Sequence, residues 1–215
     1  MRGRPTRALR APRRLVPIGL AGLLLACSPG GSAGGTSSVD AGPLPEVRLT
    51  DQQGAAWTPQ ALRGQWTLVF FGFTQCPHIC PLTLQQTVEA RRLITERGAT
   101  PPRVLFVSVD PEHDTPQALG DYLGRFGEGY TGLTGAEDEI AELERWLDAT
   151  HARAARPDAA TGAVDHSAYL YLIGPEGRLR ERVQGVTAAS TLAETLLRSM
   201  QARRSLTCHN KRSHA

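Results

Sequence analysis

The chain has 215 residues, with 24 Lys and Arg against 21 Asp and Glu, a formal net charge of +3. Six of the cations (Arg2, Arg4, Arg7, Arg10, Arg13 and Arg14) fall in the first 26 residues, which hold no acid, so the remainder carries 18 basic against 21 acidic groups. The net −3 of that remainder removes the basis for a nucleic-acid-binding reading, and no internal repeat points to a solenoid.

After the arginines comes Leu15-Val-Pro-Ile-Gly-Leu-Ala-Gly-Leu-Leu-Leu-Ala-Cys27, an apolar core too short to span a bilayer comfortably. It reads as an export signal over residues 1–26, and Leu24-Leu25-Ala26-Cys27 resembles the lipobox of bacterial lipoproteins. That resemblance implies cleavage before Cys27 and lipidation of its sulfur, which would hold the protein on the periplasmic face of a membrane. Residues 27–45 are rich in Gly and Ser and poor in large apolar side chains, a flexible tether. The folded part is expected at 46–203, within the size of one domain with a real core, and 204–215 is expected to be a disordered basic tail.

Within the domain, Val47 to Trp57 alternates and breaks at Gln53-Gly54, the pattern of an N-terminal hairpin, and Thr58 to Leu62 forms a single capped turn. Leu68 to Phe73 is an uncharged, β-branched and aromatic run, hence a strand buried on both faces. It stops at Thr74-Gln75-Cys76-Pro77, and from Pro81 a helix runs to about Gly98 with Leu82, Val88, Leu93 and Ile94 as its inner side. Val104 to Val109 is a second buried strand, and strand, helix, strand at this spacing implies a parallel pair with a right-handed crossover. In the following Asp110-Pro-Glu-His-Asp-Thr-Pro116, Asp114 or Thr115 caps a helix over 117–126 that Pro116 opens. Gly127, Gly129, Gly132 and Gly135 then read as a glycine-rich turn, and Ile140, Leu143, Trp146 and Leu147 as the core stripe of a helix over 137–149. A polar loop follows from His151 to Ala163. Ala168–Ile173 and Leu179–Val183 form an antiparallel hairpin about Gly174-Pro-Glu-Gly177, and Leu192, Leu196 and Leu197 line a closing helix. The succession describes an α/β domain of thioredoxin type, a mixed central sheet with flanking helices and an N-terminal hairpin extension.

Of four cysteines, Cys27 belongs to the signal and Cys208 to the tail, leaving Cys76 and Cys80 as the pair inside the fold. They stand where a central strand hands over to a helix, whose exposed N–H groups favour thiolate. At i and i+4 on a helix their Cβ atoms would lie about 5–6 Å apart, close enough for a slightly distorted disulfide or, with less strain, for a metal between the sulfurs. In a thioredoxin-type fold the loop before strand 168–173 lies against the cysteine turn, where redox enzymes of this class carry a cis-proline. Here no proline occurs between Asp158 and Gly174, and Val164-Asp165-His166-Ser167 offers a histidine instead. His166 is therefore a candidate third ligand, the alternative being a capping or surface residue. Asp165 could orient its ring or act as a cap. Two thiolates and an imidazole form a soft set suited to copper, whereas structural zinc would want a fourth protein ligand.

Three segments, Phe71 to Pro81, Ser108 to Pro116 and Val164 to Leu179, resemble the signature segments of the SCO/SenC family in order and spacing. The resemblance implies a thioredoxin-like fold, one copper ion held by Cys76, Cys80 and His166, and a part in assembling the dinuclear copper centre of cytochrome c oxidase. It implies as partners the copper-bearing oxidase subunit and possible further copper chaperones. The chain departs from the family in His113, where an Arg or Lys is expected, and in His78 between the cysteines. The rival function on the same pair is a thiol-disulfide oxidoreductase that keeps the oxidase cysteines reduced. A peroxidase fits poorly, because no Pro-x-x-x-Thr/Ser-x-x-Cys arrangement precedes Cys76.

Overall fold

A computed structural model describes residues 42–149 and 169–210, the last eight of these by backbone only. Cys27, the signal, most of the tether, the loop 151–163, Asp165 and His166 lie outside the described residues. The strands are β1 (Leu49–Asp51), β2 (Ala56–Trp57), β3 (Thr67–Gly72), β4 (Arg103–Ser108), β5 (Tyr130–Thr134), β6 (Tyr169–Ile173) and β7 (Leu179–Gln184). The helices are α1 (Ile79–Glu96), α2 (Pro116–Leu123), α3 (Glu137–Trp146) and α4 (Ala189–Asn210). Among the described residues the strands form one sheet in the order β2-β1-β5-β4-β3-β6-β7. β3 runs parallel to β4 and β4 to β5, while β6 lies antiparallel to β3 and to β7, and β1 antiparallel to β2 and β5. The mixed sheet, the β3-α1-β4 crossover and the closing β6-β7-α4 match the thioredoxin-type expectation.

Every residue of β3 is buried, which is why that stretch carries no alternation. Its side chains nonetheless alternate in destination. Leu68 and Phe70 join Val104, Phe106, Leu170 and Leu172 against α1, α2 and α4, whereas Val69 and Phe71 join Leu105, Val107, Tyr171 and Ile173 against α3. Cys76 and Cys80 belong to the first of these two layers.

Three expectations need correction. The glycine-rich stretch is not a turn throughout: Tyr130–Thr134 is β5, paired in parallel with β4. Gly132 is needed there because a Cβ would lie 2.9 Å from the Cβ of Leu119 and 2.8 Å from Cδ1 of Leu123, so its bareness lets α2 pack onto the strand. The inner face of α1 is Cys80, Thr83, Leu84, Thr87, Ala90 and Ile94, while Leu82 and Val88 are 39% and 38% exposed. Two buried threonines disguise that stripe, and Thr87 satisfies its hydroxyl by donating to the Leu84 carbonyl at 2.7 Å and meeting the Tyr130 hydroxyl at 2.8 Å. Finally, α4 continues past Arg203 to Asn210, since no glycine or proline interrupts that part of the basic end.

Candidate metal centre

The site is built at the C-terminal ends of the parallel strands, where Gly72 and Ser108 are register partners and the Val109 N–H donates to the Gly72 carbonyl at 2.9 Å. Cys76 lies in the turn after β3, its N–H donating to the Phe73 carbonyl at 3.2 Å, and Cys80 lies in the first turn of α1. The two are therefore not neighbours on one helix, as a four-residue spacing alone implies. Instead, the backbone N–H of Cys80 donates to the Cys76 sulfur at 3.3 Å, so that a sulfur occupies the place where an oxygen usually caps a helix. His78, the residue flanking the helix, makes no side-chain cap. Both cysteines are free thiols, 6% and 4% exposed.

This arrangement polarises the pair. The Cys80 thiol first, together with the backbone N–H groups of Cys80, His78 and Ile79 around the Cys76 sulfur, favours its thiolate and outweighs burial, pulling it down to about 5. Donation to Cys76 holds the proton on Cys80, and burial, the Cys76 charge and the Asp114 charge push the Cys80 thiol further up. At neutral pH the reduced pair is thus one thiolate and one thiol sharing a hydrogen bond, with a soft, electron-rich sulfur ready for a soft metal. The floor beneath it is tight: a Cβ on Gly72 would stand 2.9 Å from the Cys80 sulfur and 2.8 Å from Cε2 of Phe106.

Two groups missed in the sequence border the pair. Asp114 is fully buried and does not cap α2; the Thr115 side chain does, accepting from the Ala118 N–H at 3.2 Å. The Asp114 carboxylate reaches back to the cysteine turn instead, accepting from the Thr74 N–H at 3.0 Å, the Thr74 hydroxyl at 2.5 Å and the Ser108 hydroxyl at 2.6 Å. Tyr122, packed at an angle between the rings of Phe106 and Phe126 at centroid distances of 5.7 and 5.6 Å, keeps a buried hydroxyl without a hydrogen-bond partner. Burial first, then the charge of the neighbouring cysteine pair, pushes that phenol up. No local motif marks Tyr122; the only signal for Asp114 was a loop with one potential cap too many. His113 turns to Asp110, its Nδ1 2.9 Å from the carboxylate, and His78 is exposed. Among the described residues no cluster of three or more His, Cys, Asp or Glu stands ready for a metal, so Cys76 and Cys80 supply two donors and a third has to come from elsewhere.

The family model described as SCO1/SenC matches residues 44–201. The chain belongs to the SCO1/SenC family. Among its relatives, the bovine mitochondrial protein named SCO2 homolog is 35% identical over 162 residues, 75% of this chain and 61% of that protein. The chain thus aligns with about three fifths of the length of that relative. A protein of Stutzerimonas stutzeri named a putative copper-binding protein is 35% identical over 66% of this chain and 69% of its own. The solved structure of Arabidopsis thaliana ScoI with copper bound superposes with a TM-score of 0.65 at 29% identity, covering 74% of this chain and 98% of that one. The SCO1/SenC fold accordingly accounts for the thioredoxin-like sheet and for the position of the cysteine turn at its end.

Proposed function

We propose that this protein binds one copper ion through Cys76, Cys80 and His166 and delivers it to the dinuclear copper centre of cytochrome c oxidase, from the periplasmic face of a membrane to which lipidated Cys27 holds it. The observation that carries the reading is the thiol pair itself: two buried sulfurs, with the Cys80 N–H donating to the Cys76 sulfur and helping to lower its pKa. Such donors suit a soft monovalent cation of low coordination number. The topology supports His166 as the third. Leu170 of β6 is the register partner of Phe70, two residues before Gly72, so β6 begins at the cysteine end of the sheet. A residue three positions before Tyr169 has at most about 11 Å of chain between it and that end. Copper-bound ScoI and the relative named for copper binding point the same way.

Oxidation of Cys76 and Cys80 to a disulfide, with two electrons passing to an acceptor thiol-disulfide couple, would remove both soft donors at once and so gate release. The same low-lying thiolate supports a second reading, a thiol-disulfide oxidoreductase acting on cysteines of the oxidase or of other exported proteins. His166 separates the two. In a competition titration with a Cu(I) chelator, the reduced protein starting after Cys27 is expected to bind one equivalent, and His166→Ala to bind it more weakly. Unchanged affinity in that variant, with retained disulfide reduction, would favour the oxidoreductase.

A further inference from the structure

We infer that Asp114 is the positioning residue of the cysteine site and its built-in negative counter-charge. The inference rests on the copper reading above and adds a residue to it. The carboxylate is completely buried, and among the described residues no Lys, Arg or His nitrogen forms an ion pair with it. A buried anion is costly unless donors or a cation compensate it. Asp114 has donors, and they are placed with purpose: Thr74, two residues before Cys76, gives it both its N–H and its hydroxyl, and Ser108, the register partner of Gly72, gives its hydroxyl. The loop that bears Cys76 is thereby tied to the end of β4 rather than to its own strand. The Asp114 N–H donates to the Asp110 carbonyl at 2.9 Å and the Asp110 N–H to the Ser108 hydroxyl at 3.1 Å, which fixes the anchoring loop in turn.

Helix capping does not explain this carboxylate, because Thr115 performs it. What remains is the site itself. A carboxylate tied to the cysteine turn favours an incoming cation, and a turn held at both ends keeps the Cys76 sulfur against the first turn of α1.

The test replaces Asp114 by Asn, which keeps the shape, removes the charge and can no longer accept from all three donors. Two measurements are made on the folded, reduced protein: Cu(I) affinity by chelator competition, and the thiol-disulfide equilibrium of Cys76 and Cys80 in a glutathione buffer. In the second, the pair gives two electrons to glutathione disulfide, which leaves as two glutathione thiols, one proton coming from Cys80 and the other from solvent. Asp114→Asn is expected to weaken Cu(I) binding by about tenfold or more. It should also shift the equilibrium toward the dithiol by about tenfold, or about 30 mV, because the loosened turn no longer presents the Cys76 sulfur for bonding to Cys80. Thr115→Ala, one residue along and purely a cap, should move neither. Both readouts unmoved in folded Asp114→Asn, or moved equally by Thr115→Ala, would overturn the inference. Should Asp114→Asn fail to fold, Thr74→Val, which deletes one donor and keeps the charge, is expected to shift both measurements about threefold in the same directions; no shift there overturns it equally. A wild-type protein that binds no Cu(I) defeats the copper reading, and the glutathione equilibrium then decides Asp114 by itself.

Discussion

Two loops leave the same end of the sheet from adjacent parallel strands, and they start their helices in opposite ways. After β4, the Thr115 hydroxyl accepts from the Ala118 N–H and Pro116 opens α2, so local sequence chemistry satisfies the helix end. After β3, no side-chain oxygen serves α1; the Cys80 N–H in its first turn donates to the sulfur of Cys76. One helix start is spent on stability, and the other on holding a thiolate.

Exchanging the sulfur for oxygen breaks that contrast with the largest effect. Cys76→Ser supplies an ordinary cap in place of the thiolate, so the variant should still unfold cooperatively in urea. Its Cu(I) affinity, by contrast, should fall by more than about 100-fold, beyond the loss typical of a supporting residue. An affinity loss no larger than that of Asp114→Asn would show that the sulfur is not a ligand.

The pH dependence of stability sharpens the contrast next. Folding lowers Cys76 to about 5, well below the unfolded thiol near about 8.5. Between those values the unfolded chain binds the extra proton, so the stability of the reduced protein rises with pH across that window and its contribution is lost as pH falls through about 5. Cys80 has the opposite sign: the folded state keeps its proton, so above about 8.5 stability declines again. Chemical denaturation of the reduced protein should therefore show a maximum near the unfolded thiol value, and Cys76→Ser should flatten the acid limb. A flat profile in the wild type would deny the thiolate.

Smaller effects separate the floor from the cap. Gly72→Ala forces a methyl against the Cys80 sulfur and the Phe106 ring, and should cost about 1–3 kcal/mol in urea denaturation while also weakening Cu(I) binding. Thr115→Ala should cost about 1 kcal/mol and leave Cu(I) binding as it was. Equal losses of copper affinity in the two variants would erase the distinction between the loops.

The sequence was legible where one physical effect dominated. β3, β4 and β6 are apolar runs between turn residues, and the stripe Ile140, Leu143 and Trp146 of α3, with Leu147 at its end, is buried as its spacing requires. It was opaque where two effects competed. Glycines that read as turn punctuation in β5 serve helix packing, as Gly132 does against Leu119. Threonines that read as polar lie inside α1, because Thr87 finds partners in Leu84 and Tyr130. In the site, the cysteine pair and its place at a strand-to-helix junction were plain from spacing. The capping role of the Cys76 sulfur was not, since a four-residue interval looks helical until the helix is seen to begin at Ile79. Asp114 stayed hidden because its partners, Thr74 and Ser108, are distant in sequence or belong to another element.

The most direct measurement is copper X-ray absorption on the Cu(I)-loaded reduced protein, beside His166→Ala. Two sulfur neighbours and one imidazole nitrogen in the wild type, with the imidazole lost in the variant, is the expected result. A wild-type shell with fewer than two sulfurs, or an imidazole that survives in His166→Ala, would contradict it.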